Sequence, residues 1–162
     1  MGKRGMTLIE LVLAFGLLGT LMAGVNVLLF TALRNARKAQ AVGTAKIEGA
    51  YALNAMTQYI KFAKTITCAS GAQLDLYRYN GDNMSYRLNA GAIASESATL
   101  AMNLTSPKVV ATTTGCAAVF TCSAGSRVVD ICFTVSAANT ATPDEAGSVT
   151  MKSRITLRDY SE

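Results

Sequence analysis

An uninterrupted apolar run near the N-terminus limits what this chain can fold into. From Leu11 to Leu33 the sequence contains no Asp, Glu, Lys or Arg. As an α-helix that rises about 1.5 Å per residue, a run of 23 residues covers roughly 35 Å, enough for the hydrocarbon core of a bilayer. Because such a run is long for the core helix of a small soluble domain, it predicts a membrane-spanning helix.

The helix is predicted to continue over residues 34–66 as an amphipathic segment. No proline occurs before Pro107, and apolar residues recur every three or four positions. One stripe contains Leu53, Met56, Ile60 and Ala63, and a second contains Ile47, Tyr51, Ala55, Tyr59, Phe62 and Ile66. Together they predict a broad apolar face that packs on a sheet.

Beyond residue 66 the apolar period changes from helical to two, which is typical of β-strands. The strands predicted in this way cover residues 74–79, 84–88, 100–104, 109–110, 129–135 and 149–157. The polar segments 89–98, 112–118, 123–127 and 136–148 are predicted to be loops. The expected fold class is α+β, with a long N-terminal helix, membrane-spanning in its first half, packed on a C-terminal antiparallel sheet that has one apolar and one wet face.

Cysteine and histidine usage narrows the chemistry of the chain. The absence of histidine excludes Ser-His-Asp and Cys-His catalysis and any His-ligated metal site. Cys68, Cys116, Cys122 and Cys132 form no C-x-x-C pair, which argues against a zinc ribbon or a thioredoxin-like centre. We expect no catalytic residues, no metal site and no cofactor.

An even number of cysteines beyond a membrane segment favours two disulfides in an oxidising compartment, with free buried thiols as the alternative. Pairing Cys116 with Cys122 and Cys68 with Cys132 is one of the three pairings that four cysteines allow. Strand parity weighs against it, because Cys132 falls on the strand face opposite its apolar neighbours. The sequence leaves the choice open.

The segment GMTLIELV, residues 5–12, begins at the last residue of the basic stretch MGKRG, residues 1–5, and leads into the apolar run. It resembles the class III leader and cleavage site of type IV pilins and type II secretion pseudopilins. The resemblance implies that a prepilin peptidase in the membrane cuts the Gly5–Met6 bond, removes residues 1–5 and methylates the new amine of Met6. Met6 stands where phenylalanine is commoner in the family.

Glu10 matches the family's glutamate at the fifth mature position. A charged carboxylate at the centre of a membrane helix costs about 2.5–3.5 kcal/mol. Because ionisable groups in membranes usually have a partner, we expect Glu10 to pair with the Met6 amine of a neighbouring subunit and so to guide assembly. The alternative is that Glu10 reaches the lipid headgroups as a first-turn residue favoured by the helix dipole.

The resemblance implies a filament subunit rather than an enzyme. Its parts are the leader 1–5, a hydrophobic transmembrane and filament-core helix over 6–33, the amphipathic helix 34–66 and a sheet domain over 67–162. The implied partners are other pilin or pseudopilin subunits, the prepilin peptidase, an inner-membrane assembly platform and the membrane itself. The implied location is the inner membrane for the single-pass precursor, then an extracellular or periplasmic filament.

Within the family, the long helix followed by Cys68 and a simple sheet resembles minor pilins and pseudopilins of the J or W type, with a major pilin close behind. The rival interpretation is an uncleaved single-span protein that displays an extracytoplasmic binding domain. The net charge of +5 comes without a dense Lys/Arg run interleaved with aromatics, which leaves a nucleic-acid partner open but unsupported.

Overall fold

The structure, a computed structural model, describes residues 7–98, 100–123, 125, 127–138 and 147–158. It contains one helix, α1 (Leu8–Lys61), and two antiparallel sheets, so the α+β class is confirmed. The chain divides into two compact units at Arg37/Lys38. We call the second unit, Lys38–Glu162, the head.

Helix α1 ends at Lys61 rather than at residue 66. The last turn closes with a hydrogen bond from the Ala63 N–H to the Ile60 carbonyl (3.1 Å). The next residues enter strand β1, where β-branched Thr65 and Ile66 pair with β2. Branched side chains fit a pleated sheet better than a helix, which explains why the helical pattern stops early.

The sheets are built from nine strands in the described residues, and all paired neighbours run antiparallel. Sheet A has the order β1-β2-β3-β4-β5, and sheet B has β8 between β9 on one side and β6 and β7 on the other. The strands are β1 Thr65–Ser70, β2 Gln73–Tyr77, β3 Asn83–Asn89, β4 Ala92–Ser97, β5 Ala101–Asn103, β6 Val109–Thr112, β7 Phe120–Cys122, β8 Val128–Ala137 and β9 Ser148–Thr156.

Two sheets replace the single sheet expected from the sequence. β8 is long enough to pair with β7 through its first half and with β6 through its second half, while β9 runs along its whole other edge. Parity on β8 and β9 is as predicted: Val129, Ile131, Phe133, Val135 and Ile155 are buried. Sheet B is therefore the part of the head that alternation predicts best.

Strand β4 lies inside the segment 89–98, which was predicted to be a loop, so that prediction is wrong. Ile93, Ala94 and Ser95 are all buried, so the strand has no polar face and shows no alternation. It follows β3 through a two-residue turn in which Ala90 and Gly91 both have positive φ (48° and 79°). Such a turn joins two strands of a hairpin directly.

The helix buries a narrow stripe within the head, formed by Ala45, Gly49, Ala52, Met56 and Ile60. At Gly49 a Cβ atom would lie 2.8 Å from the Met151 Cε and 3.2 Å from the Val135 Cγ2, so the missing side chain permits close helix–sheet approach.

Of the two predicted stripes, the first is confirmed by the burial of Met56, Ile60 and Ala63. The second is wrong as a packing face, since Ile47 and Tyr51 are 71% and 63% exposed. Small residues make the contact instead, because they bring the helix close enough to the sheet for interdigitation.

Two disulfides are present, as expected, and their pairing differs from the one considered from the sequence. Cys68 of β1 bonds Cys122 of β7 and so joins sheet A to sheet B. Cys116, in the β6–β7 loop, bonds Cys132 on the outward face of β8, which agrees with the parity of that strand. Disulfides are typical of domains in oxidising compartments outside the cytosol.

Candidate functional site

The N-terminal part of α1, Leu8–Leu33, is the apolar segment, and it has no core of its own. Every residue from Thr7 to Gln40 is exposed. Leu8 is 82% and Leu28 72% exposed. Apolar surface in water costs about 25 cal/mol per Å², so a surface of this extent requires lipid or other protein to cover it. By length and composition α1 is able to cross a membrane.

The uncharged polar side chains within the apolar segment, those of Thr20, Asn26 and Thr31, form hydrogen bonds inside the helix. The Thr20 and Thr31 hydroxyls donate to the Leu17 and Val27 carbonyls, each at 2.9 Å. The Asn26 amide donates to the Met22 carbonyl at 2.8 Å. Because lipid offers no hydrogen-bond partners, this internal bonding suits a helix surrounded by hydrocarbon.

Glu10 lies in the first turn of α1, where the helix dipole favours a negative charge. Its N–H and that of Leu11 both donate to the Thr7 carbonyl, at 3.1 and 3.3 Å. Within the described residues the Glu10 carboxylate makes no ion pair or side-chain hydrogen bond. Gly5 and Met6, where cleavage and methylation are predicted, lie outside the described residues.

The ionisable groups with the clearest pKa shifts in the head serve its structure. Arg154 donates to both carboxylate oxygens of Asp130 (2.6 and 3.0 Å), and this bonding lowers the pKa of Asp130 below its usual range. Burial raises the pKa of Tyr86 far above its usual range; Tyr59 adds to the rise and Arg78 opposes it. Among the described residues, no three His, Cys, Asp or Glu side chains lie close enough to hold a metal ion.

The fold also assembles a surface that the sequence pattern did not reveal. Where α1 ends, cations and aromatic rings from the helix end, from the end of β2 and from the residues after β9 lie together. Arg78 stands over the Tyr59 ring, 4.7 Å from its centroid, and Lys64 stands over the Tyr79 ring at 5.7 Å. These residues come from three separate parts of the chain, residues 59–64, residues 77–79 and Arg158, which the fold brings together.

Comparisons of this chain with protein-family models, with curated proteins and with solved structures found no match. Function is therefore inferred from the residues of the apolar segment and of the head.

Proposed function

We propose that the chain is a structural subunit of a type IV pilus or pseudopilus, processed after Gly5 and assembled through its apolar segment. The observation that carries this proposal is a fully exposed apolar segment whose one acidic residue, Glu10, lies in the first turn of α1. The motif GMTLIELV around that residue and the disulfide-bonded head add support. Among such subunits, we favour a minor one.

The chemistry of assembly follows from the change of surroundings. In the inner membrane, lipid tails cover the apolar segment; in a filament, the equivalent helices of neighbouring subunits cover it. Lipid tails are as apolar as leucine, so moving the apolar segment from lipid into a filament gains little hydrophobic free energy. Packing and polar contacts between the helices therefore decide the association. A charge pair between Glu10 and the Met6 amine of the next subunit supplies such a contact and fixes the register.

The proposed orientation places residues 1–5 in the cytoplasm and the head on the other side of the membrane. There the disulfides Cys68–Cys122 and Cys116–Cys132 form in an oxidising compartment. The outward-facing loops and sheet surfaces of the head then become available to partners, and the chain needs no catalytic group for this role.

Mass spectrometry of the mature N-terminus tests the proposal. The chain is expressed in a host that has a prepilin peptidase, and in the same host without it. We expect a chain that begins at N-methylated Met6 in the first host and the full-length chain in the second. As a matched control, Gly5→Val should keep residues 1–5 in both hosts. A wild-type chain that still begins at Met1 in the presence of the peptidase contradicts the proposal and favours an uncleaved membrane-anchored protein.

A further inference from the structure

The end of the head where α1 stops gathers cationic and aromatic side chains from three separate parts of the sequence, residues 59–64, residues 77–79 and Arg158. We call this surface the basic aromatic end. Its cations are Lys61, Lys64, Arg78 and Arg158, and its aromatic residues are Tyr59, Phe62, Tyr77 and Tyr79.

Backbone hydrogen bonds near the ends of α1, β2 and β9 hold these residues together. The Lys64 N–H donates to the Tyr77 carbonyl at 2.7 Å, and the Arg158 N–H donates to the Lys61 carbonyl at 3.2 Å. Thr65 pairs with Tyr77 in the β1–β2 register. The surface therefore consists of the last residues of α1 and β2 and of the short connections beside them, which these backbone hydrogen bonds fix in place.

The aromatic rings of this surface are accessible to a ligand. Phe62, Tyr77 and Tyr79 are 49%, 43% and 55% exposed. Tyr59, 39% exposed, has Arg78 over its ring. Exposed rings are costly in water, and several of them beside cations form a surface that suits a ligand with both flat faces and negative charge.

Among the described residues of this surface, cations outnumber acidic side chains. Lys61, Lys64 and Arg158 are exposed, and the acidic residue in the adjoining β2–β3 turn is Asp82. The Asp82 carboxylate accepts a hydrogen bond from the Asn80 amide at 2.5 Å. Asp159 and Glu162 follow in the sequence and lie outside the described residues.

We propose that the basic aromatic end binds single-stranded nucleic acid. Lys61, Lys64 and Arg158 contact phosphates, and unpaired bases stack on Phe62 and Tyr79. Proteins that bind single strands combine a positive surface with exposed aromatic side chains because every base offers a π-face. A duplex hides those faces within its stack, so the exposed rings favour an unpaired strand. This proposal concerns the head and does not depend on assembly through Glu10.

Other parts of the head provide matched comparisons. The outward face of β9 carries Lys152 and Arg154 without aromatic neighbours on that face, and Arg154 already bonds Asp130. On α1, Tyr51 is 63% exposed and lies eight positions before Tyr59. The β9 face therefore serves as a control site with charge and no rings, and Tyr51 serves as an exposed ring outside the basic aromatic end.

The test uses the full-length oxidised protein in nonionic detergent micelles. Fluorescence anisotropy measures binding of a labelled oligodeoxythymidine of about 20 nucleotides across a range of salt concentrations. In a plot of the logarithm of the association constant against the logarithm of the salt concentration, each phosphate contact should contribute a slope of roughly −0.7. The double variant Lys61→Gln/Lys64→Gln should bind more weakly, with a slope shallower by about 1.4.

The rings are tested separately from the charges. Phe62→Ala and Tyr79→Ala should each weaken binding by about 5- to 150-fold, the range that loss of one stacked base gives, without changing the salt slope. Lys61→Arg/Lys64→Arg should restore the slope. The charge-matched control Lys46→Gln/Lys152→Gln, at exposed lysines of α1 and β9, and the ring control Tyr51→Ala should bind as the wild type does.

Three results would overturn the proposal. Equal losses in the control variants would show that net charge or general apolarity governs binding. Equal affinity for a duplex of the same length would remove the role of base stacking. The surface would bind polyanions in general if heparin displaced the oligonucleotide at an equal concentration of charges and Phe62→Ala had no effect on binding.

Discussion

Two regions of the same helix meet opposite demands. In the apolar segment, residues 8–33, every side chain is exposed, and the uncharged polar ones bond back to the helix itself. Within the head, residues 41–61 bury a stripe of mostly small residues against the sheets and leave Lys46 and Lys61 exposed to solvent. Helix formation alone therefore does not decide the role of either region of α1, because the surroundings of each region decide what its surface must contact.

We expect the head to be stable independently of the apolar segment. Its core includes Met56 and Ile60 from the helix and Ile131 and Phe133 from β8, and two disulfides cross-link it. Changes in the head core should therefore unfold the head, while changes in the apolar segment should affect membrane insertion and assembly.

The disulfides should give the largest change in head stability. The Cys68–Cys122 bond spans a sequence separation of 54 residues and Cys116–Cys132 one of 16. Because a longer closed loop restricts the unfolded chain more, replacing both cysteines of the first pair with serine should lower the free energy of unfolding by about 4 kcal/mol, and of the second by about 3 kcal/mol. Urea unfolding in detergent, followed by near-ultraviolet circular dichroism, measures both. A greater loss for the second pair would contradict this ordering.

A pair of alanine substitutions on α1 sharpens the contrast between its two regions. Met56 is fully buried and Leu18 is 53% exposed. Met56→Ala should lower the free energy of unfolding of the head by about 3 kcal/mol, through lost burial and a cavity. Leu18→Ala should leave it unchanged. Similar losses in both variants would show that the head depends on the apolar segment.

The buried Tyr86 should contribute to the loss of head stability at alkaline pH. Burial raises its pKa above the value of about 10 that an unfolded tyrosine has. The folded head therefore holds its proton more tightly, and its stability is complete below pH of about 10 and falls as the pH rises further. Tyr86→Phe should give a flatter alkaline limb in urea unfolding at increasing pH. Identical slopes for variant and wild type would assign the loss to other groups.

The parts that the sequence predicted well are those where one side of an element meets water and the other meets the core. The parity of β8 placed Cys132 opposite Ile131 and Phe133, and the burial stripe of α1 included Met56 and Ile60. The apolar segment was equally clear, because the absence of charge over such a length has few explanations.

The features that the sequence did not predict depend on contacts between residues that are far apart in the chain. β4 is covered on both faces, so no alternation marked it. The pairing of Cys68 with Cys122 depends on how sheet A meets sheet B, and the basic aromatic end depends on where α1, β2 and β9 stop. The roles of Gly5, Met6 and Glu10 remain predictions that come from the motif.

Incorporation of a Glu10→Ala variant into filaments tests the central claim most directly. The variant and the wild type are expressed in cells that build such filaments, and the subunit is quantified in sheared filaments and in the inner membrane, with Lys152→Ala, at an exposed lysine of the head, as a control. We expect unchanged membrane levels and incorporation lower by more than about tenfold for Glu10→Ala, since the partner of the Met6 amine is lost. The control should assemble as the wild type does. Equal incorporation of Glu10→Ala and wild type would contradict assembly through this charge.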